Sequence, residues 1–264
     1  MKILNGSELA GFIKERQAHQ IRAMEHKPGL LIIRDSSDPV IMKYVNLKIK
    51  YGQDIGANVE DFYAKNNTEI ADKIKSANAD PSVTGIIIQL PLTNKNNTEE
   101  LCNLITPEKD VDGLGPQAKY DSATATAINW LLTGYDVNLT NSKIAIVGRG
   151  KLVGAPLYKM FTNSNYTVSL FHRGSDLTKL TEYDIIITAT GVPSLISDDM
   201  IKPGAVVVDA GTASEDGVLK GDVADSVRAR TDLAAITPTI GGIGSLTISC
   251  LFDHLIQGGV GPHA

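Results

Sequence analysis

The chain has 264 residues, of which 42% are hydrophobic and 21% charged, with a formal net charge of -5. That length suits one large domain or two smaller ones, and no stretch approaches the ~20 consecutive apolar residues of a membrane span. The acidic balance, with no basic stripe, argues against nucleic acid as a partner, so any anionic ligand must be met by individual loops.

The first residues, Met1-Lys2-Ile3-Leu4-Asn5-Gly6, turn polar before an apolar signal region can form, and the expected location is the cytoplasm. Leu30-Leu31-Ile32-Ile33 is a continuous apolar run, as in a buried parallel strand. Asp38-Pro39 breaks it, and residues 40–54 read as a helix ended by Gly56. Residues 59–63 make a weaker strand, 68–77 a helix, and 83–88 a second buried strand. The two cysteines, Cys102 and Cys250, lie far apart with no CxxC spacing or clustered histidines. They read as packing residues, and neither a disulfide nor a metal is expected.

A helix over about 124–133, stopped by Gly134, is the expected domain joint. Strands follow at 143–147, 167–171, 184–188, 205–208 and 233–236, with helical or turn segments between them. Alternation of strands and helices predicts a parallel, doubly wound sheet. The expected fold class is therefore α/β with two domains. An N-terminal α/β substrate and catalytic domain covers 1–120, and a Rossmann-like doubly wound parallel sheet covers 121–245. The amphipathic segment 246–257 is able to pack on either domain, and residues 246–264 are a candidate for completing the first.

After the first strand of the second series comes Gly148-Arg149-Gly150-Lys151-Leu152-Val153-Gly154, then a helical pattern from Ala155 to Phe161. This GxGxxxG is one residue longer than the usual dinucleotide fingerprint, and its place between a buried strand and a helix gives it weight. Glycines there let backbone N–H groups approach a pyrophosphate, and the helix start adds partial positive charge. A plain glycine turn is the alternative. The next strand ends Ser169-Leu170-Phe171-His172-Arg173 with no carboxylate to accept a ribose 2′-OH. Arg173 together with Arg149 offers charge-assisted bonds to a 2′-phosphate, which favours NADP over NAD. The alternative is two solvated loop charges. Ala189-Thr190-Gly191 and Asp209-Ala210-Gly211-Thr212 follow the next two strands, at the carboxyl ends where open α/β sheets bind ligands. The expected cofactor residues are Gly148, Arg149, Gly150, Val153, His172, Arg173, Thr190, Gly191 and Thr212.

In the first half, Tyr44-Val45-Asn46-Leu47-Lys48 places a phenol and an amine four residues apart on one helix face. A solvated face with a snorkelling lysine would explain them equally well by composition. Their companions are Gln89-Leu90-Pro91-Leu92 at the end of a buried strand, and then Lys109-Asp110-Val111-Asp112-Gly113. With Val147-Gly-Arg-Gly150, Val153-Gly154, Ile236-Thr-Pro238 and Gly241-Gly-Ile-Gly244, these motifs run in order along nearly the whole chain. On them the chain resembles the bifunctional methylenetetrahydrofolate dehydrogenase/cyclohydrolase family.

The resemblance implies oxidation of 5,10-methylenetetrahydrofolate with NADP, followed by hydrolysis of the methenyl product to 10-formyltetrahydrofolate. It assigns Lys48 as the acid/base group of hydrolysis, Tyr44 as an orienting group and Gln89 as the residue that tunes the lysine. Asp112 would grip the pterin ring, with Leu90, Pro91, Gly242 and Ile243 also against the folate. It further implies a cytoplasmic homodimer in one-carbon metabolism that feeds purine biosynthesis, with no nucleic-acid or membrane partner. The alternatives are a dehydrogenase with weak cyclohydrolase activity and a non-catalytic nucleotide-binding protein of the same fold. The sequence departs from the family pattern at Thr93 and Ser245, each in place of a proline, at Thr239-Ile240, at Gly150 and Arg173, each in place of a serine, and over 114–126.

Overall fold

The computed structural model describes residues 1–211, 213–215 and 218–259. In chain order the elements of the first half are β1 (Lys2–Ile3), α1 (Gly6–Ala23), β2 (Gly29–Arg34), α2 (Pro39–Ile55), β3 (Asn58–Tyr63), α3 (Asn67–Ala79), β4 (Gly85–Ile88) and α4 (Thr98–Cys102). The second half holds α5 (Ala123–Gly134), β5 (Lys143–Val147), α6 (Gly154–Asn163), β6 (Thr167–Phe171), β7 (Ile185–Thr188), β8 (Val206–Asp209), β9 (Ala213–Glu215), β10 (Val218–Lys220), α7 (Asp225–Arg228), β11 (Ala235–Ile236) and α8 (Ile243–Gly259). Among the described residues no helix is long and apolar enough to cross a membrane.

The chain divides into two compact units. One holds Gly11–Ala123 with the described residues from Ile248 on, around a three-stranded parallel sheet ordered β3-β2-β4. β4 is buried along its whole length and β2 at all but its last residue, which is why their sequences are unbroken apolar runs. Edge strand β3 is buried nowhere along Asn58–Tyr63, and its polar sequence gave the weaker signal. Leu31, Ile33, Ile70, Ile74, Ile86 and Ile88 fill the core between sheet and helices.

The other unit holds Met1–Ala10 and Thr124–Thr247. Its six-stranded sheet is parallel throughout, in the order β1-β11-β8-β7-β5-β6. β6 lies on one side of β5 and β7 on the other, so the winding reverses at β5, the kind of switch point at which open α/β sheets bind ligands. The expected first domain begins at residue 1. In the structure, however, Lys2–Ile3 pairs in parallel with Ala235–Ile236, and this joins Met1–Ala10 to the six-stranded sheet. Both residues of β1 are exposed, so no apolar run marks the strand. The long polar helix α1 and the antiparallel pair β9/β10 are likewise additions to the expected elements.

Candidate active site

The strongest concentration of perturbed charge lies in the three-stranded unit. Helix α2 begins where Asp38 accepts hydrogen bonds from the N–H groups of Val40 (2.8 Å) and Ile41 (3.4 Å), with Pro39 in its first turn. It ends at Gly56, whose φ of 87° is the left-handed conformation glycine adopts without strain. Ile41, Val45, Tyr51, Gly52 and Ile55 form its buried face. Tyr44 and Lys48 flank that face, both half-buried and one turn apart. A Cβ on Gly52 would overlap the Val59 side chain, so this glycine sets how closely α2 lies on the sheet.

Gln89 follows directly on β4 and is buried. Its backbone N–H is bonded to Ile33 O at 2.8 Å, and its side-chain amide donates to Leu90 O at 3.0 Å. That second bond turns the amide oxygen toward α2, where Lys48 Nζ donates to it at 2.7 Å. A neutral acceptor satisfies the amine without supplying an opposite charge. Burial therefore holds the Lys48 pKa below the ordinary value of 10.5, partly offset by the field of Asp112. The Leu90–Pro91 peptide is cis, and Pro91 is exposed.

Asp112 stands on a turn fixed from several sides. Lys109 Nζ donates to the carbonyls of Ala77 (2.8 Å), Asn78 (3.0 Å) and Asp80 (2.7 Å), closing the end of α3. Buried Asp110 accepts from the N–H groups of Gly113 (3.0 Å), Leu114 (3.4 Å) and Gly115 (2.7 Å). Buried His254 of α8 donates from Nδ1 to Val111 O at 2.8 Å. Gly113 has φ 70°, and a Cβ there would press on the Asp121 carbonyl. These bonds clamp the backbone around Asp112, while among the described residues no N–H or O–H donates to its carboxylate. Burial raises that carboxyl to about 6, against the opposing pull of Lys48 and with a push from Asp110. Lys109 and Asp110 thus serve Asp112 indirectly, a role visible only once α3 is in place.

In the six-stranded unit the described cofactor candidates lie in the loops that follow the carboxyl ends of β5, β6 and β7. Gly148 follows β5 with φ 109°, and a Cβ on it would press on the Ala189 carbonyl of the loop after β7. A Cβ on Gly154 would overlap the Gly148 carbonyl, so the turn folds back onto the start of α6 only with glycine at both places. Gly150 meets nothing within 4 Å and is not needed for packing. Helix α6 starts at Gly154, and Val153 at its N-cap leaves the first amides without a side-chain cap. Val147 pairs with Phe171, so Arg149 and Arg173 each stand two residues past in-register ends of neighbouring strands. Both are exposed, and among the described residues neither forms an ion pair. His172 is exposed and turns back, its N–H donating to Ser175 Oγ at 3.0 Å. Thr190 and Gly191, the latter at φ 69°, form the loop after β7. Thr212 lies outside the described residues.

Family models agree with this division of labour. Residues 4–112 match the catalytic domain of tetrahydrofolate dehydrogenase/cyclohydrolase, and residues 122–260 match its NAD(P)-binding domain. The chain belongs to this family. The bifunctional protein FolD of Hydrogenobaculum sp. (strain Y04AAS1) is 35% identical, covering 97% of this chain and 98% of its own. Among solved structures, the bifunctional FolD enzyme of Campylobacter jejuni superimposes with a TM-score of 0.92 at 29% identity, covering 98% of each chain. The Trypanosoma brucei FolD enzyme, complexed with NADP cofactor and inhibitor, gives 0.90 at 26% identity over 97% of this chain and 96% of that one.

Of the residues expected to act in this tetrahydrofolate dehydrogenase/cyclohydrolase, Tyr44, Lys48, Gln89, Leu90, Pro91 and Asp112 share one unit. Gly242 and Ile243 belong to the other unit and are buried; the Gly242 carbonyl occupies the place a side chain on Gly6 would take. Two departures from the family pattern acquire local reasons. The Thr93 N–H donates to Asp35 Oδ2 at 2.9 Å, a bond a proline cannot make. Ser245 Oγ lies 3.0 Å from Ser7 Oγ, tying the start of α8 to the start of α1.

Proposed function

We propose that this protein oxidises 5,10-methylenetetrahydrofolate to 5,10-methenyltetrahydrofolate with NADP, then hydrolyses the methenyl bridge to 10-formyltetrahydrofolate. The observation that carries the proposal is the 2.7 Å bond from Lys48 Nζ to Gln89 Oε1, on an amine whose neutral form burial favours. A neutral amine is a base, and general-base catalysis works best when the group's pKa lies near the operating pH. Lys48 takes a proton as water adds to the bridging carbon, and gives it back as the carbon–nitrogen bond of the bridge opens. Gln89 orients the amine without fixing its charge. Asp112, whose carboxylate meets no donor among the described residues, accepts from the pterin's amino and ring N–H groups. Tyr44, one turn from Lys48, orients the ring, and Leu90 and Pro91 form further parts of the folate site.

NADP, when bound, accepts the hydride. The chain's contribution there is position and charge: the Gly148–Gly154 turn and the uncapped start of α6 hold the pyrophosphate, and Arg149 and Arg173 hold the 2′-phosphate. We further place the enzyme in the cytoplasm as a homodimer that supplies purine biosynthesis, on the strength of its family membership.

The test is one absorbance trace of protein mixed with methylenetetrahydrofolate and either NADP or NAD. Methenyl absorbance should rise and then decay faster than without enzyme, with NADP the better cofactor. No methenyl signal with either cofactor would overturn the proposal. A signal that decays only at the uncatalysed rate would leave a dehydrogenase without the hydrolytic step.

A further inference from the structure

Two aspartates, Asp209 at the carboxyl end of β8 and Asp222 two residues past β10, pack against each other's neighbouring glycine. A Cβ on Gly211 would overlap the Asp222 carboxylate, and a Cβ on Gly221 would overlap that of Asp209. The carboxylates differ in how they are used. Asp209 Oδ1 accepts from the N–H groups of Gly211 and Asp222, each at 3.1 Å. Its Oδ2 accepts from Val223 N at 3.1 Å and from Arg228 at 2.5 Å, and Arg228 also donates to Thr237 O at 2.7 Å. Asp209 is fully satisfied and paired to a guanidinium.

Asp222 is only 1% exposed, and its accepting contacts fall on one oxygen. Oδ2 receives the Thr188 hydroxyl at 2.5 Å and the Thr190 N–H at 2.6 Å. Among the described residues Oδ1 is buried with no hydrogen-bond partner. Buried polar atoms are rarely left so, and such an exception calls for a reason. The two donors that Asp222 grips stand on either side of Ala189, whose carbonyl faces Gly148 of the glycine turn. A charged acceptor holds an N–H more tightly than a neutral one. The carboxylate therefore fixes the peptide planes around Ala189, and with them the Thr190–Gly191 loop. Thr190 passes the constraint on, its Oγ1 accepting from Val192 N at 3.1 Å.

The geometry points to Asp222 as a positioning residue for the dinucleotide: it locks the Ala189-Thr190-Gly191 loop against the Gly148 turn and so sets the shape of the nicotinamide nucleotide site. This rests on the proposal that the loop borders that site. Asp222 is not a catalytic residue, and it has no part in methenyl hydrolysis, which needs no dinucleotide.

The test separates the two activities in the full-length enzyme. Asp222→Ala should raise the KM of the dehydrogenase for NADP, and the calorimetric Kd for NADP, by about tenfold, the worth of one well-placed charged hydrogen bond. Methenyl hydrolysis should stay within about twofold of wild type, since that step uses no dinucleotide. Asp222→Asn keeps an acceptor for Thr188 and Thr190 and should restore NADP affinity to within about threefold of wild type, the difference between charged and neutral acceptors. An unchanged KM and Kd for NADP in Asp222→Ala overturns the inference, as does an equal fall of both activities, which would mark the carboxylate as merely structural. If Asp222→Ala does not fold, Thr188→Val decides. Loss of that hydroxyl should give the same split at about threefold, near the low end for one hydrogen bond, and no change in NADP affinity overturns the inference. Calorimetry needs no folate, so wild-type protein that binds NADP but leaves methylenetetrahydrofolate untouched would sink the proposed reaction while the Asp222 comparison still reads out.

Discussion

The two units build their candidate sites from opposite materials. In the three-stranded unit the site is made of charged side chains held against their preference: an amine whose pKa burial lowers and a carboxyl raised to about 6. In the six-stranded unit it is made of backbone, with glycines at 148 and 154 whose missing side chains let a turn close. In the first unit function works against stability, because each ionisable group would be more comfortable in water. In the second the shape that would hold the ligand is the shape of the fold, so one change should damage both.

The largest expected effect sharpens that contrast. Lys48→Met should slow methenyl hydrolysis by about 10²–10⁴-fold, the usual share of a general base, while NADP binding is retained and the melting temperature is unchanged or higher. A melting curve beside the hydrolysis assay reads both, and a variant that lost both function and stability would break the comparison. On the backbone side, Gly154→Ala should cost about 1–3 kcal/mol, as overpacking does, and lower NADP affinity with it. Denaturant melts and an NADP titration would show whether the two losses travel together.

Smaller is Arg173→Ala, which should raise the KM for NADP by about tenfold, or 1.4 kcal/mol, and leave the KM for NAD nearly unchanged. Equal shifts would mean the guanidinium does not meet a 2′-phosphate. Smallest is the pH dependence of Asp112. An unfolded aspartate ionises near 3.8 and the folded one near 6, so between those values the folded chain holds more proton. Stability contributed by this group falls as pH rises through that window, and Asp112→Asn should remove the slope in a series of melts. The KM for folate should rise below pH about 6, where the carboxylate loses its charge.

Much of this was legible in the sequence where the signal is local. The buried strands β2, β4, β5 and β7 read as apolar runs because helices cover both faces of a parallel sheet. Helix α2 announced itself through Asp38-Pro39 and Gly56, which carry its caps. Helical spacing put Tyr44 and Lys48 on one face, but it was the family resemblance that singled them out; the glycine turn stood out by its place between strand and helix. What escaped depends on distant pairing. β1 is two exposed residues that become a strand only beside β11. Lys109 caps α3 only once α3 lies next to it, and Asp222 bonds Thr190 across a separation of 32 residues, which no local pattern reveals.

The proposed chemistry needs Lys48 to be an amine whose pKa burial holds below its ordinary value, with Gln89 as its bonded partner and Asp112 opposing the shift. A ¹⁵N NMR titration of the Lys48 side chain, in wild type and in Asp112→Asn, tests it directly. Burial should bring the wild-type midpoint below 10.5, and loss of the Asp112 charge, which favours the protonated amine, should bring it lower still. A midpoint at or above 10.5, or one indifferent to Asp112→Asn, would contradict the account.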